Sequence, residues 1–356
     1  MKTFRLKSEA TKYLSTIEAS KVRGSYLDPA LGRVTFGSYT EAFLAGAVDL
    51  SPSTRATYET EARLYLLPAL GAQPIASIRP ADLRALVSDL QARGVGARTI
   101  QLVRQTASRV LRQAVEDGLI ASNPAARVRA PKTERRAIRI LSVEEVEALA
   151  DAFDPRYRAL VHLGAYAGLR FGEASALRIV HLRLLERRIE IAEGASEVNG
   201  RLYVGPLKTA ASRRVVTIPA FLADELGAHL ATRRNPDGSD LVFPAPGGGH
   251  LRRTSFGHRF WTPAVHETGL DPAPVFHDLR HTAVALAIAE GAHPKAIQAR
   301  LGHASITTTL NTYGHLFPAL DVELADRLDA ARAERLAAYL RRDEPAGARV
   351  VKIREH

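Results

Sequence analysis

Residues 188–219 read RIEIAEGASEVNGRLYVGPLKTAASRRVVTIP, and this stretch divides the chain into two kinds of polypeptide. Short runs rich in Ile, Val and Tyr at 188–192, 202–204 and 214–218 are punctuated by Gly194, Asn199-Gly200 and Pro219, the pattern of strands joined by tight turns. The economical prediction is a small antiparallel three-stranded sheet. On both sides the apolar periodicity is helical. Upstream, Ser142 followed by Glu145 at the third position marks a capped helix start, and AYAGLRFGEASALR continues as helix interrupted at Gly168. Downstream the pattern is again helical, with loops at 235–239 and 244–249, a last amphipathic helix over 321–342 and a polar tail from Asp343. The second half of the chain is therefore a mixed α+β domain, expected over residues 140–320.

Residues 34–130 contain four predicted helices and no convincing strand. Ser51-Pro52 and Pro80 open two of them, since proline at the first helical position lacks only a hydrogen that has no partner there. The helix near 97–117 has the clearest pattern, with Ile100, Val103, Ala107, Val110, Leu111, Ala114 and Val115 on one face. Arg98, Gln101, Gln105, Arg109 and Arg112 fall on the opposite side, a stripe that can reach phosphates and base edges; a solvated helix face is the plainer alternative. Residues 131–139 form an extended basic linker, and Arg127, Arg129 and Lys132 lead into and through it. Residues 1–33 carry a short amphipathic helix (Leu6, Ala10, Tyr13, Leu14, Ile17) and a turn-rich stretch, an appendage too small for its own core.

Composition narrows the chemistry. The 356 residues include no cysteine, which removes disulfides, thiolate nucleophiles and cysteine-ligated metals. The longest apolar run, residues 283–289, is far short of a membrane span, and the start shows no secretory signal, so a cytoplasmic protein is expected. Lys+Arg number 49 against 38 Asp+Glu, a net charge of +11, the balance of a polyanion binder. Arginine-rich genome composition is the competing explanation, because only 8 of the basic residues are lysines. Distribution favours function: residues 1–130 hold 18 basic and 11 acidic side chains, so most of the excess lies in the first third.

Three segments carry chemistry: AGLRFGEASALR at 167–178, HDLRHT at 277–282 and LGHASITTTLNTYGH at 301–315. Arg170 and Glu173 stand three apart, so the carboxylate can orient the guanidinium. His277 and Arg280 share the same spacing, and His303 precedes Tyr313 by ten residues. Two arginines, two histidines and a tyrosine suffice for phosphodiester cleavage: guanidinium forks neutralise the non-bridging oxygens and a phenol oxygen attacks phosphorus.

In their order and spacing these segments resemble the tyrosine recombinases, the family of bacteriophage integrases and Xer-type recombinases. The resemblance implies an all-α N-terminal DNA-binding clamp over 34–130 followed by the mixed α+β catalytic domain. It implies that Tyr313 attacks a DNA phosphate to give a 3′-phosphotyrosyl link, with Arg170 and Arg280 holding the pentavalent charge and His303 bonding the phosphate. His277 is then the candidate base, and Lys208, expected on the turn before 214–218, the general acid for the leaving 5′-oxygen; a solvated turn lysine is its duller alternative. Glu173 steadies the arginine shell, and His281 is read as a packed histidine supporting it. No metal or other cofactor is required, because bond energy is retained in the covalent link. Double-stranded DNA, a homotetramer assembled on it and accessory DNA-bending proteins are the implied partners, with the helix over 321–356 docking on a neighbouring protomer. Integration of a phage or other mobile element is the leading function; Xer-like chromosome or plasmid resolution and type IB-like DNA relaxation are the alternatives. The echo of a zinc HExxH motif in His277–His281 fails, since Asp278 is shorter than glutamate, no third ligand follows and Arg280 adds a positive charge.

Overall fold

A computed structural model of the chain describes residues 6–9, 11, 14, 15, 31–133, 137–207, 210–233, 235–317 and 320–342. The described residues fall into two compact units, one drawn from Met1–Ala137 and Ser196–Tyr203, the other from Ile138–Ala195 and Val204–His356.

The first unit is built from helices α1 (Phe36–Gly46), α2 (Pro52–Glu61), α3 (Leu67–Leu70), α4 (Pro80–Ala92) and α5 (Ala97–Glu116). A π-turn over Ala62–Leu66 joins α2 to α3, so the two continue one rod. Ser51 accepts from the Thr54 N–H at the start of α2, the cap its sequence predicts. The periodic face of α5 enters the core: Ile100, Val103, Ala107, Val110, Leu111 and Ala114 are buried against Phe36, Leu66, Leu83 and Leu90. Burying each of the larger of these side chains stabilises the unit by roughly 1.5–3 kcal/mol. Most of the proposed appendage helix, including Ala10, Tyr13 and Ile17, lies outside the described residues, and Leu6 and Leu14 are exposed.

The second unit opens with α6 (Val143–Asp151), whose Ser142 and Glu145 exchange side-chain and backbone hydrogen bonds in a capping box. Helix α7 (Pro155–His162) runs through a π-turn to Gly168, and α8 (Phe171–Ser175) follows. Five strands come next along the chain, β1 (Leu182–Arg183), β2 (Arg188–Ile191), β3 (Glu193–Val198), β4 (Arg201–Pro206) and β5 (Arg214–Thr217), of which the hairpin residues Ser196–Tyr203 in β3 and β4 are grouped with the first unit. Here the strand assignment is corrected. A three-stranded antiparallel sheet exists, but its order is β1-β2-β5, and residues 202–204 belong instead to a separate two-stranded β3-β4 pair. The turn explains the difference: Asn199 and Gly200 both have positive φ, 49° and 73°, the geometry of a type I′ hairpin that pairs the flanking residues with each other. The third strand of the sheet is then supplied by Leu182 and Arg183, which the sequence pattern leaves unassigned.

The remaining elements are helical: α9 (Ala220–Ala231), α10 (Arg253–Phe256), α11 (Thr262–Thr268), α12 (Phe276–Ala289), α13 (Pro294–Leu301), α14 (Ile306–Tyr313) and α15 (Leu320–Arg342). The main core surrounds Tyr157, Leu160, Leu163, Leu169, Phe243 and Leu279, and a smaller cluster of Val284, Ile288, Ile297, Leu301 and Tyr313 joins α12, α13 and α14. On α15, Leu328, Leu336 and Tyr339 are exposed. Among the described residues no helix is long and apolar enough to cross a membrane.

Candidate active site

Gly168 sits in left-handed backbone with φ 71°, ending the π-turn, and this break lets Arg170 cap α8 rather than lie within a helix. The turn is pressed onto α12: a Cβ on Gly164 would lie 2.8 Å from Leu279 Cδ1. That close approach brings Arg280 beneath the Gly168 carbonyl, to which it donates at 2.5 Å. Arg280 also donates to the Leu301 carbonyl at 2.7 Å and lies 3.2 Å from His303 Nε2. Its guanidinium thus ties three separated segments at one point. The side chain is buried, and among the described residues it has no salt bridge to a carboxylate. Burial and the Arg170 charge push its pKa down, and the nearby Glu173 charge only partly opposes them.

Glu173 occupies the centre. Its Oε1 accepts from Arg170 at 2.7 Å and from Arg214 at 3.1 Å, and its Oε2 accepts from the Arg170 backbone N–H at 2.9 Å and from Arg214 at 3.0 Å. Burial alone would raise this carboxyl, but the Arg214 fork and the Arg170 donors outweigh it and hold it below the usual carboxylate range. Arg214 was not among the residues picked out from the sequence. It is found here because β5 alternates: Arg214 and Val216 face inward, Val215 and Thr217 outward, and Arg214 pairs across the sheet with Ile191. Its Nε also donates to the Arg300 carbonyl at 2.7 Å, and one nitrogen to the Ser212 carbonyl at 3.0 Å. An arginine on an inward position of an otherwise apolar strand is the signal that could have revealed it.

Tyr313 closes α14 and is buried. Its hydroxyl lies 2.8 Å from Nδ1 of His281. Burial raises the phenol above its ordinary value, while the Arg280 and Arg170 charges oppose that rise. His303 is fixed by Thr309, whose hydroxyl is 2.9 Å from its Nδ1, and burial followed by Arg280, Arg170 and Arg214 pushes it down to about 4. His277 keeps an exposed edge, yet desolvation by its surroundings, with the His281, Arg280 and Arg170 charges, lowers it to about 4. Its ring stands edge-on to His281 with centroids 5.0 Å apart. Both imidazoles are therefore neutral at pH 7. Arg170, with its side chain 40% exposed, is the one fork of this cluster that opens to solvent. Lys208 lies outside the described residues, so its expected position at the site is not addressed by the geometry.

In the first unit, Arg98, Gln105, Arg109 and Arg112 on α5 are exposed, as are Arg127, Arg129 and Lys132 beyond it. Gln101 differs: half-buried, its amide donates to the Pro131 carbonyl at 3.0 Å and so fastens the following segment to the helix. The guanidinium of Arg109 stacks over Tyr58 at 5.6 Å.

The chain matches the Phage integrase family over residues 139–319 and the Phage integrase central domain over residues 36–131. It is 30% identical over 309 residues to the integrase of Mycobacterium phage FRAT1, covering 84% of this chain and 89% of that protein. It is 29% identical over 280 residues to tyrosine recombinase XerC of Alcanivorax borkumensis, covering 77% of this chain and 86% of XerC. Among solved structures, the Tn1549 transposon integrase in complex with a circular intermediate DNA has a similar fold, with a TM-score of 0.71 at 20% identity over 85% of this chain and 99% of that one.

Proposed function

Given that the chain belongs to the phage integrase family and is a tyrosine recombinase, a site-specific DNA recombinase, we propose that Tyr313 is its nucleophile and the cluster around Glu173 its phosphate cage. The observation that carries this reading is an excess of positive charge at one point: Arg170 and Arg214 share the single carboxylate of Glu173, and the buried Arg280 beside them bonds only backbone carbonyls and His303. Such an excess is costly by itself and becomes favourable beside a phosphate, most of all when that phosphate becomes a pentavalent, more highly charged transition state.

In the proposed cycle the Tyr313 oxygen attacks a scissile phosphate in line, Arg170 and Arg280 hold the non-bridging oxygens, and His303 donates to the same group. The 3′-phosphotyrosyl link and a free 5′-hydroxyl result, and the hydroxyl of a partner strand reverses the step without metal or nucleotide. Lys208 is proposed as the acid that protonates the leaving 5′-oxygen, and His277 as part of the cage. Residues 34–130 act as the DNA clamp, with Arg98, Gln105, Arg109, Arg112, Arg127, Arg129 and Lys132 facing the duplex, 131–139 as linker and 140–320 as catalytic domain. A cytoplasmic tetramer on double-stranded DNA, with α15 docked on the next protomer and accessory bending proteins, completes the proposal.

Integration of a phage or other mobile element is the function the relatives support best, and the similarity to XerC keeps chromosome or plasmid resolution as the second reading. A duplex site selected by the protein from random DNA, nicked beside the cleaved phosphate, tests the chemistry. In EDTA the wild type is expected to form a covalent DNA adduct and Tyr313→Phe none. An adduct with Tyr313→Phe, or loss of the wild-type adduct on chelation, overturns the mechanism.

A further inference from the structure

Tyr313 and His281 are 32 positions apart, on α14 and α12, and meet at one hydrogen bond of 2.8 Å between Oη and Nδ1. The rings are tilted by 58° with centroids 5.6 Å apart, so the contact is made edge to edge at the polar atoms and not by stacking. His281 lies one helical turn beyond His277 on the same face of α12, and the two rings meet at right angles. Among the described residues the phenol makes no other hydrogen bond. The imidazole that the phenol oxygen meets is thus a different histidine from the one that the HxxR spacing selects.

Resting on the reading of Tyr313 as nucleophile, we infer that His281, rather than His277, takes the phenolic proton as the DNA strand is cleaved. The step balances within the site. The Oη–H bond breaks and its proton moves to Nδ1 of His281, the Oη–phosphorus bond forms, the bond from phosphorus to the 5′-oxygen breaks, and that oxygen is protonated by the proposed acid Lys208. Rejoining runs the same transfers backward.

The groups around His281 suit it to accept. Burial lowers its basicity, Asp278 on its own helix opposes that, and Arg280 adds to it; His277 faces the ring from the same helix and Tyr313 from α14. The net shift is downward, so at pH 7 the ring is neutral, and we assign its hydrogen to Nε2, which leaves the Nδ1 lone pair for the phenol 2.8 Å away. A neutral imidazole is too weak to deprotonate an isolated phenol of pKa about 10, so transfer proceeds as the new bond to phosphorus forms. Thermodynamic help comes from Arg280 and Arg170, whose charges favour the developing phenolate.

The test uses single-turnover cleavage of the selected duplex carrying a 5′-bridging phosphorothiolate, whose sulfur leaves without an acid, so that activation of the phenol limits the rate. His281→Gln is expected to slow cleavage by about 100-fold or more with unchanged DNA affinity, the usual scale of a lost general base. It is also expected to remove the fall in rate that sets in on the acid side of the ordinary imidazole range, where the wild-type His281, its basicity lowered by burial, protonates; His277→Gln should slow the reaction but retain that fall. Cleavage by His281→Gln within about threefold of wild type, or with the pH dependence intact, overturns the assignment. The unmutated chain supplies an independent check: nitrogen-15 histidine spectra should show His281 unprotonated at Nδ1 at pH 7 and displaced in Tyr313→Phe, and a protonated Nδ1 overturns the inference. An adduct formed by Tyr313→Phe sinks the nucleophile assignment itself, a result distinct from any failure at His281.

Discussion

Both oxygens of Glu173 accept from two arginines at once, which makes this carboxylate the residue on which the geometry of the site depends. Replacing it with glutamine keeps the shape but leaves Arg214 buried without a counter-charge. Glu173→Gln is therefore expected to lose about 3–5 kcal/mol of stability, measured by urea denaturation, the usual penalty for removing one member of a buried pair. Acid should expose the same interaction in the wild type. The folded carboxyl titrates below its unfolded value, so its contribution is complete above the unfolded pKa and is lost as pH falls through the folded one. The slope of stability against pH should flatten on the acid side in Glu173→Gln; an unchanged slope contradicts the ion-pair account. Glu173 beside Arg170 was legible from its spacing, whereas Arg214 was not, because its inward direction depends on which face of β5 meets α8.

At the scale of elements, the turns were more legible than the partners they bring together. Ser51-Pro52, Pro80, Ser142 with Glu145, and Asn199-Gly200 each act within a few residues, so local chemistry sufficed to place them. Pairing between strands was misassigned because short apolar runs look alike, and only hairpin geometry decided that β4 returns along β3. Gly302 shows how an element end supports the site. With φ 65° it terminates α13 just before His303, and a Cβ there would lie 2.8 Å from the Ala211 carbonyl oxygen. Gly302→Ala combines left-handed strain with a clash against backbone and is expected to destabilise the unit by about 2–4 kcal/mol. Thermal melts should record the loss, and cleavage should fall further than stability alone explains, because the clash pushes on the segment that follows Lys208. A variant as stable and active as wild type would show that this approach is dispensable.

Across the whole molecule the net charge of +11 and the exposed arginines of α5, proposed above to face the duplex, are expected to set the salt dependence of DNA binding. Arg112→Ala is expected to weaken DNA binding and to reduce the slope of log affinity against log salt by about one, as removal of a single phosphate contact should. Arg109→Ala should do the same with a stability loss of about 0.5–1 kcal/mol from its stacking on Tyr58, detectable in the isolated protein. Filter binding at several salt concentrations checks both, and unchanged slopes would remove α5 from the DNA face. The amino-acid order alone determined what is local: which segments are helical, where they are capped, where charge accumulates, and which side chains lie three or four residues apart. The packed structure decided everything that joins distant segments, namely the inward turn of Arg214, the sharing of Glu173 between two guanidiniums, the fastening of Gln101 to Pro131 and the meeting of Tyr313 with His281. The reason is physical: helix periodicity and turn propensity act over a few residues, while these contacts are fixed by how whole elements bury their apolar faces against one another.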